Sequence, residues 1–536
     1  MYVPWFSDSN PVKQQGHNGH TIALTKTAFP VHILLYITII ILLYNLTSQI
    51  LKKISTIKFR KLHECTSPPK LPYKYPLAID RLLAAIRSSE EKRTLSWFQK
   101  IFNEVGETFE QVVLGGRSIN TVEPENLHAI LSSDFASYNL GTRRAVFAPL
   151  LGDGIFTQDG VAWRHSRDVL RPLFCLNRMD VFRQVENHTD KLVDCILPEK
   201  FVDLQPLFFR FALDITTFLL FGKSVNSLEE TGSVESSESR FSEAFKVCQD
   251  YLFRRGRLGG LFWLVGGREF RENCSIVHQF LDDAVREALS AAPIEENMGN
   301  SFLDILVRET RDPKVLRDQL LNVLLAGRDT TACCLSWTFR LLAQHPQVLA
   351  KLREEISTTI GVGHEAQTPD KNSLKKMKYL HYVLKEVLRL YPPVPMNCRT
   401  ALKDTILPKG GGPDGTQPIM VRKGENVGYT TYVMHRSKRL YGEDAETFRP
   451  ERWDIEDRSN VVNLRNIGWG YLPFNGGPRV CLGQEFALLE VGFVVTRILQ
   501  RFRRLEMENP VRVGLEKQDL TLVLASTDGC RIKGFE

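Results

Sequence analysis

Several patterns that would assign a function at once are missing from this 536-residue sequence. Its ten cysteines are scattered without a C-x-x-C pair, so neither a zinc site nor a disulfide framework is indicated. No reader motif or basic patch interleaved with aromatic residues points to nucleic acid. No glycine-rich nicotinamide or flavin fingerprint is present either. Any electrons used in redox chemistry must therefore come from a partner.

The overall composition is that of a large globular protein. Hydrophobic residues make up 43% of the chain and charged residues 24%, which is enough for one catalytic body and a short appendage. The formal net charge of +7 and the pI near 8.8 fit contact with anionic lipid, an acidic protein partner or ordinary surface charge.

The N-terminal region carries the longest apolar run. Residues 28–46 read AFPVHILLYITIIILLYNL, which is long enough to cross a bilayer and contains no Asp, Glu, Lys or Arg. This run predicts a transmembrane helix. A cleaved signal peptide is the alternative, but the polar residues before the run and the lack of a small-residue cleavage site argue against it.

Basic residues lie mainly on one side of this run. Five follow it between Lys52 and Lys61, whereas Lys13 and Lys26 precede it, so the positive-inside rule places the C-terminal part in the cytosol. The predicted organisation is a lumenal lead (1–27), a transmembrane anchor (28–51), a basic and proline-rich linker (52–72) and a catalytic domain (73–536).

Helical patterns dominate the predicted catalytic domain. The longest candidate begins at Asp312-Pro313, where Asp can cap the helix and Pro fits its first turn, and it runs to about Gln344. Strand-like segments are few, and the fold class is therefore mainly α with minor β. These segments lie near Val112–Val122, Arg399–Leu407 and Leu520–Leu524.

The stretch from Tyr251 to Gly267 reads YLFRRGRLGGLFWLVGG and allows two interpretations. One is a core helix followed by a loop. The other is a second membrane-contacting surface with Arg254, Arg255 and Arg257 at the lipid headgroups.

The segment Phe474 to Gly483, FNGGPRVCLG, is the strongest indication of chemistry. A thiolate binds iron, and a cysteine just before a helix gains from the helix dipole and from free backbone N–H groups. Glycines would let the backbone bend closely around a flat cofactor, and Arg479 could pair with a carboxylate. A lone cysteine is usually a small buried hydrophobic residue, but this combination is hard to explain in that way.

This segment resembles the cysteine loop of the cytochrome P-450 superfamily, F-x-x-G-x-R-x-C-x-G. All fixed positions are present as Phe474, Gly477, Arg479, Cys481 and Gly483. The resemblance implies a cytochrome P-450 fold after the transmembrane helix, haem b as the cofactor and Cys481 as the axial ligand to the haem iron.

Two charged segments extend the resemblance. Glu386 and Arg389 stand at positions i and i+3 of a helical pattern, and FRPERW at 448–453 looks like the family segment that supplies a second arginine, Arg452. In the family these three residues form a structural triad.

The sequence AGRDTT at 326–331 falls midway along the long helix. Taken alone, it is a helix with one tolerated glycine. The resemblance implies a local distortion that opens a groove for dioxygen, with Thr330 and Asp329 as catalytic residues. Splitting an O–O bond productively requires two protons, which gives a hydroxyl and an acid a chemical purpose there.

Three further residues occupy positions where the family binds haem propionates. Trp163 and Arg167 match the pattern W-x-x-x-R, and Arg399 follows the proline-rich run after Tyr391. Arginine suits a carboxylate because its planar fork can bind both oxygens. Each of the three, taken alone, could equally be a surface residue.

Resemblance to microsomal family members implies the partners and the location. The electron donor would be NADPH-cytochrome P-450 reductase, with cytochrome b5 as a second donor, and the substrate a hydrophobic small molecule; nucleic acid is not expected. The protein would be a single-pass protein of the endoplasmic reticulum membrane, in contact with lipid. Thiolate ligation would favour O–O cleavage and the oxidation of an unactivated C–H bond.

Three stretches look most like the fungal subgroup that hydroxylates n-alkanes and fatty acids at the chain end. They are LLAGRDTT from Leu324, NCRTALKDTILPKGGGPDG from Asn397 and YVMHRSKRLYGEDAETFRPERW from Tyr432. The glycine-rich insert 410–415 is the most telling, although a flexible loop would explain it as well. The expected activity is hydroxylation of a long aliphatic chain at or near its end.

Other functions stay open at this point. Cys333-Cys334 stands where small or aliphatic residues are more usual, and related fungal sequences also oxidise polyketide or terpenoid intermediates in secondary metabolism. A haem-thiolate isomerase or dehydratase would need no reductase, but such enzymes tend to lack the pair Asp329-Thr330. A membrane-tethered electron carrier would need no oxygen groove.

Overall fold

Helices dominate the computed structural model, which describes residues 31–175, 179–229, 237–290, 301–363, 366–457, 460 and 462–536. The α-helices in these ranges are α1 (Val31–Leu62), α2 (Ile79–Glu90), α3 (Thr94–Val105), α4 (Pro124–His128), α5 (Arg143–Leu151), α6 (Gly160–Cys175), α7 (Met179–Asp194), α8 (Leu204–Phe221), α9 (Ser237–Arg257), α10 (Arg268–Ser290), α11 (Phe302–Glu309), α12 (Pro313–Gln344), α13 (Pro346–Ile360), α14 (Lys371–Lys376), α15 (Lys378–Leu390), α16 (Thr431–Met434), α17 (Lys438–Tyr441) and α18 (Gln484–Arg501). The predicted class, mainly α with minor β, is confirmed.

The strands form four small sheets within the described residues. A five-stranded sheet has the order β1-β2-β8-β5-β3, a three-stranded sheet has the order β4-β12-β9, and β6-β7 and β10-β11 are hairpins. Within the largest sheet β2 and β8 run parallel and the other pairs are antiparallel. The strands are β1 (Thr108–Val113), β2 (Gly116–Thr121), β3 (Tyr138–Asn139), β4 (Phe201–Asp203), β5 (Met396–Ala401), β6 (Thr405–Gly411), β7 (Gln417–Val421), β8 (Asn426–Thr430), β9 (Arg504–Met507), β10 (Gln518–Leu520), β11 (Leu524–Ser526) and β12 (Arg531–Phe535).

The chain divides into two units, and the first ends at Leu62. Its described part is the single helix α1, whose apolar side chains are exposed, as expected for a membrane anchor. The predicted lead and the first residues of the predicted anchor lie outside the described residues. The helix extends beyond the predicted anchor (28–51) as far as Leu62, because 31–62 contains neither glycine nor proline. The basic residues from Lys52 to Lys61, which were assigned to a linker, thus lie on the same helix.

The second unit, from His63 to Glu536, contains the long helix predicted from the sequence. Its bounds, Pro313–Gln344, are those expected, and Asp312 caps it by accepting hydrogen bonds from the backbone N–H groups of Lys314 (2.9 Å) and Val315 (3.4 Å). Most of α12 is buried, so it forms the central helix of this unit.

Helix α8 lies alongside α12. It is apolar and long enough to span a membrane, but most of it is buried, which identifies it as a core helix. The close approach of the two helices depends on Gly327, where an added Cβ atom would come within 2.7 Å of the Thr216 hydroxyl oxygen. Glycine at this position therefore serves helix packing.

The predicted strand segments and the glycine-rich insert differ in detail from the structure. Segment 112–122 covers parts of β1 and β2, and segment 399–407 covers parts of β5 and β6. Residues 520–524 are not one strand: β10 ends at Leu520 and β11 begins at Leu524, so the apolar run spans a hairpin turn. The glycine-rich insert 410–415 belongs to the β6-β7 hairpin, with Gly410 at φ +110° close against Thr108 of β1. Its glycines thus allow close backbone packing, and the insert is not merely a flexible loop.

The stretch Tyr251 to Gly267 combines features of both interpretations. Helix α9 ends at Arg257, and a 3-10 helix at Gly259–Leu264 follows with Trp263 exposed. The expected headgroup position of Arg255 is wrong. Its buried guanidinium donates hydrogen bonds to carbonyl oxygens of the protein, including those of Val146 (3.1 Å) and Val265 (2.7 Å).

Candidate functional site

Cys481 lies in the turn between the 3-10 helix Gly477–Arg479 and α18. Its backbone N–H donates a hydrogen bond to the Phe474 carbonyl oxygen (3.0 Å), which closes the loop. The side chain is accessible, yet protein surrounds it closely enough that burial raises the pKa of the thiol. The backbone N–H of Gly483 and the charge of Arg167 act in the opposite direction. The thiol is thus closely surrounded by protein and still accessible to a ligand.

The backbone of the cysteine loop requires glycine at position 477. Gly477 has φ +65°, and a Cβ atom there would overlap the carbonyl oxygen of Leu131. The loop is therefore packed directly against the turn Ala129–Ser133. Phe474 packs against the main hydrophobic core and Gly483 is the N-cap residue of α18, so both help to hold Cys481 in place.

Positive charge is concentrated around the cysteine loop. Burial, together with the nearby charges of Arg399, Arg143 and Arg167, lowers the pKa of Arg479 to about 9, although Asp159 acts in the opposite direction. Arg479 forms an ion pair with Asp159 (2.8 Å). Four guanidinium groups thus lie close together, and among the described residues Asp159 is the acid that pairs with Arg479. This arrangement suits an anionic group with more than one carboxylate.

The residues predicted for propionate binding lie at this cluster. The guanidinium of Arg479 stands 4.3 Å from the centre of the Trp163 ring, and Arg167 donates a hydrogen bond to the Val480 carbonyl oxygen (2.9 Å). Arg399 on β5 donates to the Cys398 carbonyl oxygen (2.8 Å), while its buried Nε–H has no hydrogen-bond partner among the residues that the structure describes. An unsatisfied buried donor of this kind is unusual and fits a missing acceptor.

An iron-thiolate group with carboxylate side arms fits these residues. Cys481 supplies a thiol that can bind iron once deprotonated, and the arginine cluster supplies the charge complement of two propionates. The expected cofactor therefore agrees with the chemistry of the donor set.

The acid and the alcohol predicted for proton delivery lie side by side on α12 but face different surroundings. The Thr330 side chain is partly exposed, and its hydroxyl donates to the Ala326 carbonyl oxygen (2.6 Å). Asp329 is buried and bound to Gln249 and Arg328. No hydrogen bond joins Asp329 to Thr330 in the described part of the chain. The expected distortion does not interrupt α12, which is α-helical throughout.

The three residues predicted as a triad are in direct contact. Arg389 and Arg452 both donate hydrogen bonds to the Glu386 carboxylate, at 2.8 to 2.9 Å. All three side chains are buried.

The structure adds two residues that the sequence did not single out. Arg143 joins the arginine cluster through contacts with Asn397 and Cys398, and Gln249 contacts Asp329. Gln249 is 80 positions from its partner, and Arg143 is 254 positions from Asn397. No motif contains either residue, so only the folded chain reveals them.

Comparison with known proteins places these features in a family. A family model described as Cytochrome P450 matches residues 72–528. A cytochrome P450 of Arthroderma benhamiae is 50% identical over 477 residues, covering 87% of this chain and 91% of the relative. Cytochrome P450 52A5 of Candida maltosa is 46% identical over 441 residues, covering 80% of this chain and 82% of the relative. Cytochrome P450 monooxygenase g430 of a Fusarium species is 39% identical over 525 residues, covering 93% and 90%.

Proposed function

The chain belongs to the cytochrome P450 family, and on that premise we propose that it hydroxylates long-chain alkanes or fatty acids at or near the chain end. Membership makes it a haem-dependent oxidoreductase. The observation that carries the haem chemistry of this proposal is the accessible Cys481 thiol beside a cluster of arginines.

The haem, when bound, supplies the chemistry: its thiolate-ligated iron activates dioxygen so that one oxygen atom can be inserted into a C–H bond. In our proposal Cys481 ligates the iron, while Arg167, Arg399 and Arg479 bind the propionates, with Trp163 behind Arg479. Arginine can engage both oxygens of a carboxylate, and the cluster has an excess of positive charge to offer.

Asp329 and Thr330 are the residues we propose for proton delivery. The Thr330 hydroxyl is partly exposed, and its oxygen keeps acceptor capacity while its hydrogen bonds the Ala326 carbonyl. Burial raises the pKa of Asp329 above that of an ordinary aspartate. This shift brings the carboxyl group closer to the range in which an acid can donate a proton near neutral pH.

The substrate class rests on sequence similarity. The relatives named cytochrome P450 52A are 41% to 46% identical to this chain over most of its length. The segments at 324–331, 397–415 and 432–453 resemble the fungal subgroup that oxidises alkanes and fatty acids. A long aliphatic substrate is the class that both observations favour.

An exposed apolar surface supports a membrane location for the second unit. Trp263 and Leu264 are 66% and 59% exposed after the end of α9, and Leu83 of α2 is 57% exposed. Arg257 donates a hydrogen bond to the Ala85 carbonyl oxygen, which joins the two segments. We infer that this surface contacts the bilayer, where a lipophilic substrate dissolves.

The location and partner are proposals of the same kind. We propose that the catalytic unit lies in the cytosol, at the endoplasmic reticulum membrane, and the basic residues on α1 after the apolar part support this orientation. The family takes electrons from a redox partner, and we propose a membrane-bound NADPH-cytochrome P450 reductase, with cytochrome b5 as a second donor.

Product analysis tests the proposed function. Microsomes containing the full chain and a fungal reductase would receive NADPH with a mixture of long-chain alkanes and fatty acids, and mass spectrometry would identify the products. We expect terminally hydroxylated products that require NADPH and disappear with Cys481→Ala. Cys195→Ala, which removes a thiol at the end of α7, is the matched control and should retain them.

Haem-containing protein that forms no such product would contradict the aliphatic substrate and favour a polyketide or terpenoid intermediate. Product that persists in Cys481→Ala would contradict the assignment of the iron ligand.

A further inference from the structure

The carboxyl group of Asp329 is enclosed by two partners from different helices. Its side chain belongs to a residue that is 1% exposed, so it has no direct path to solvent. One carboxyl oxygen accepts a hydrogen bond from Arg328 Nη1 (2.8 Å). The other accepts a hydrogen bond from Gln249 Nε2 (2.7 Å). Arg328 is the neighbour of Asp329 on α12, whereas Gln249 lies on α9, so one of the two contacts depends on how these helices pack.

Helix α9 makes a second contact with the same charged pair. Phe245, one helical turn before Gln249, presents its ring to the guanidinium of Arg328 at 5.7 Å, and Phe209 of α8 does so at 5.1 Å. The aromatic rings hold the Arg328 side chain, and the Gln249 amide holds the carboxylate. The face of α9 that carries Phe245 and Gln249 is therefore fitted to the Arg328-Asp329 pair.

The surroundings of Asp329 contain few other groups able to act on its charge. Burial raises the pKa of Asp329, while the charge of Arg328, the hydrogen bond from Gln249 and the hydrogen bond from Arg328 lower it. On its own helix the carboxyl also faces Cys333, a buried thiol one turn on. Among the described residues, α9 contributes the Gln249 amide and α8 contributes the Phe209 ring through Arg328. The Gln249 amide is thus the direct contact through which α9 acts on this acid.

We propose that Gln249 is a positioning residue for Asp329, and that it makes proton delivery by this acid depend on the contact between α9 and α12. The inference rests on the proposed role of Asp329. A neutral amide is suited to this task, because it can donate a hydrogen bond to the carboxylate. When the contact opens, the amide has no charge of its own that would stay buried.

Infrared titration of the holoprotein tests the proposal directly. The carbonyl band of protonated Asp329 is identified by its loss in Asp329→Asn and followed with pH. Gln249→Met keeps the length of the side chain but removes the hydrogen-bond donor. We expect the Asp329 pKa to rise by about one pH unit, because the charged carboxylate loses one hydrogen bond. In Gln249→Glu a second carboxyl group should raise it further. Gln279→Met, on the exposed face of α10, should leave it unchanged.

The ratio of hydroxylated product to hydrogen peroxide gives the second measurement. We expect this ratio to fall about tenfold in Gln249→Met, with unchanged haem content and substrate affinity. A graded rise of the pKa from wild type to Met to Glu supports the proposal. An Asp329 signal that does not move in either variant, or that moves equally in Gln279→Met, overturns it.

The infrared titration needs no substrate, so it separates this inference from the proposed function. If the wild-type protein oxidises neither alkanes nor fatty acids, the substrate class is wrong, but the dependence of Asp329 on Gln249 is still decided. Gln249→Glu preserves size and shape, and it provides the answer if Gln249→Met does not retain haem.

Discussion

The end of α15 and the contact between α12 and α18 each bury one carboxyl group, but one site favours the charged form of the carboxyl and the other favours the neutral form. Glu386, on α15, is surrounded by donors, whereas Glu490, on α18, faces a single hydroxyl group in the described part of the chain. Both side chains belong to residues that are at most 4% exposed. Burial is thus nearly the same in the two places, and the difference lies in the partners.

Glu386 accepts five hydrogen bonds. Arg389 donates two of them at 2.9 Å, Arg452 donates one at 2.8 Å, and the Trp453 indole and the Arg449 backbone N–H donate at 2.9 and 3.0 Å. Burial by itself raises the pKa of this carboxyl, but Arg389, Arg452 and the backbone of Arg449 outweigh it and bring the pKa below its usual value. Glu386 is therefore charged at neutral pH.

The two arginines also bind carbonyl oxygens of the surrounding backbone. Arg389 donates to the carbonyl oxygens of His435 and Ala445, both at 2.6 Å, and Arg452 donates to that of Tyr441 at 3.1 Å. Residues 435–447 are thereby fixed to the end of α15. Because the charges are paired and their donors satisfied, this cluster acts as a structural connection between distant parts of the chain.

Glu490 has no such support. The Thr331 hydroxyl lies 3.5 Å from its carboxyl oxygen, longer than an ordinary O–H···O hydrogen bond. Burial raises the pKa of Glu490 to about 8, and this contact offsets little of the effect. The side chain is therefore mostly protonated at neutral pH. The same residue type is a fixed charge in one place and a neutral acid in the other.

Removing Glu386 should have the largest effect. Glu386→Ala leaves Arg389 and Arg452 buried without their counter-charge, which costs on the order of 3–5 kcal/mol of folding free energy. We expect loss of holoprotein and not merely slower turnover, measured as haem absorbance per mole of purified protein.

Glu354→Ala, at an exposed position of α13, is the matched control and should bind haem normally. Normal haem content in Glu386→Ala would show that the triad does not hold the fold together.

Neutralising Glu490 should have an effect on stability that is small near pH 4.5 and grows as the pH rises. The folded protein holds a proton on Glu490 up to about pH 8, whereas the unfolded chain loses it near pH 4.5. The contribution of Glu490 to the free energy of unfolding is fully present below about pH 4.5. It is lost as the pH rises towards 8, by roughly 1.4 kcal/mol per pH unit. Glu490→Gln lacks this dependence, so its stability relative to wild type should increase between pH 5 and 8.

The midpoint of urea unfolding, followed across this pH range, measures the change. Glu354→Gln, an exposed glutamate on α13, should keep the slope of the wild type. Parallel pH profiles for Glu490→Gln and wild type would mean that the Glu490 carboxyl is ionised in the folded protein, and the contrast with Glu386 would disappear.

These two carboxyl groups also show what the sequence can and cannot predict. Helix α12 was predictable to its end residues, because Asp312-Pro313 and His345-Pro346 are local signals that need no tertiary contact. The triad was predictable only through family resemblance, since Glu386 and Arg452 are 66 positions apart.

Glu490 and Gln249 carried no signal in the sequence. Each is a polar residue in an otherwise ordinary helical pattern, and its importance follows from burial and from a partner on another helix. The continuation of α1 beyond residue 51 was not part of the prediction, which assigned 52–72 to a linker, although Lys and Arg are good helix formers. Tertiary burial and helix continuity were thus the physical factors that the patterns did not contain.

Two adjacent threonines on α12 provide the smallest expected change in stability and the sharpest test of the contrast. Thr331 is 3% exposed and contacts Glu490, whereas the partly exposed Thr330 is the residue we propose for proton delivery. Thr331→Ala should lower stability by about 1 kcal/mol through the loss of buried atoms and leave the ratio of product to hydrogen peroxide unchanged.

Thr330→Ala should have the converse effect. Alanine favours a helix and Thr330 is only partly buried, so we expect the stability and the haem spectrum to be kept. The loss of the hydroxyl should divert reducing equivalents to hydrogen peroxide and lower the ratio of product to peroxide by at least about tenfold. Parallel assays of NADPH consumption, product and peroxide in the two variants measure this. An unchanged ratio in Thr330→Ala would refute its role in proton delivery, and an equal fall in Thr331→Ala would show that both hydroxyls serve the same path, with Glu490 as a part of it.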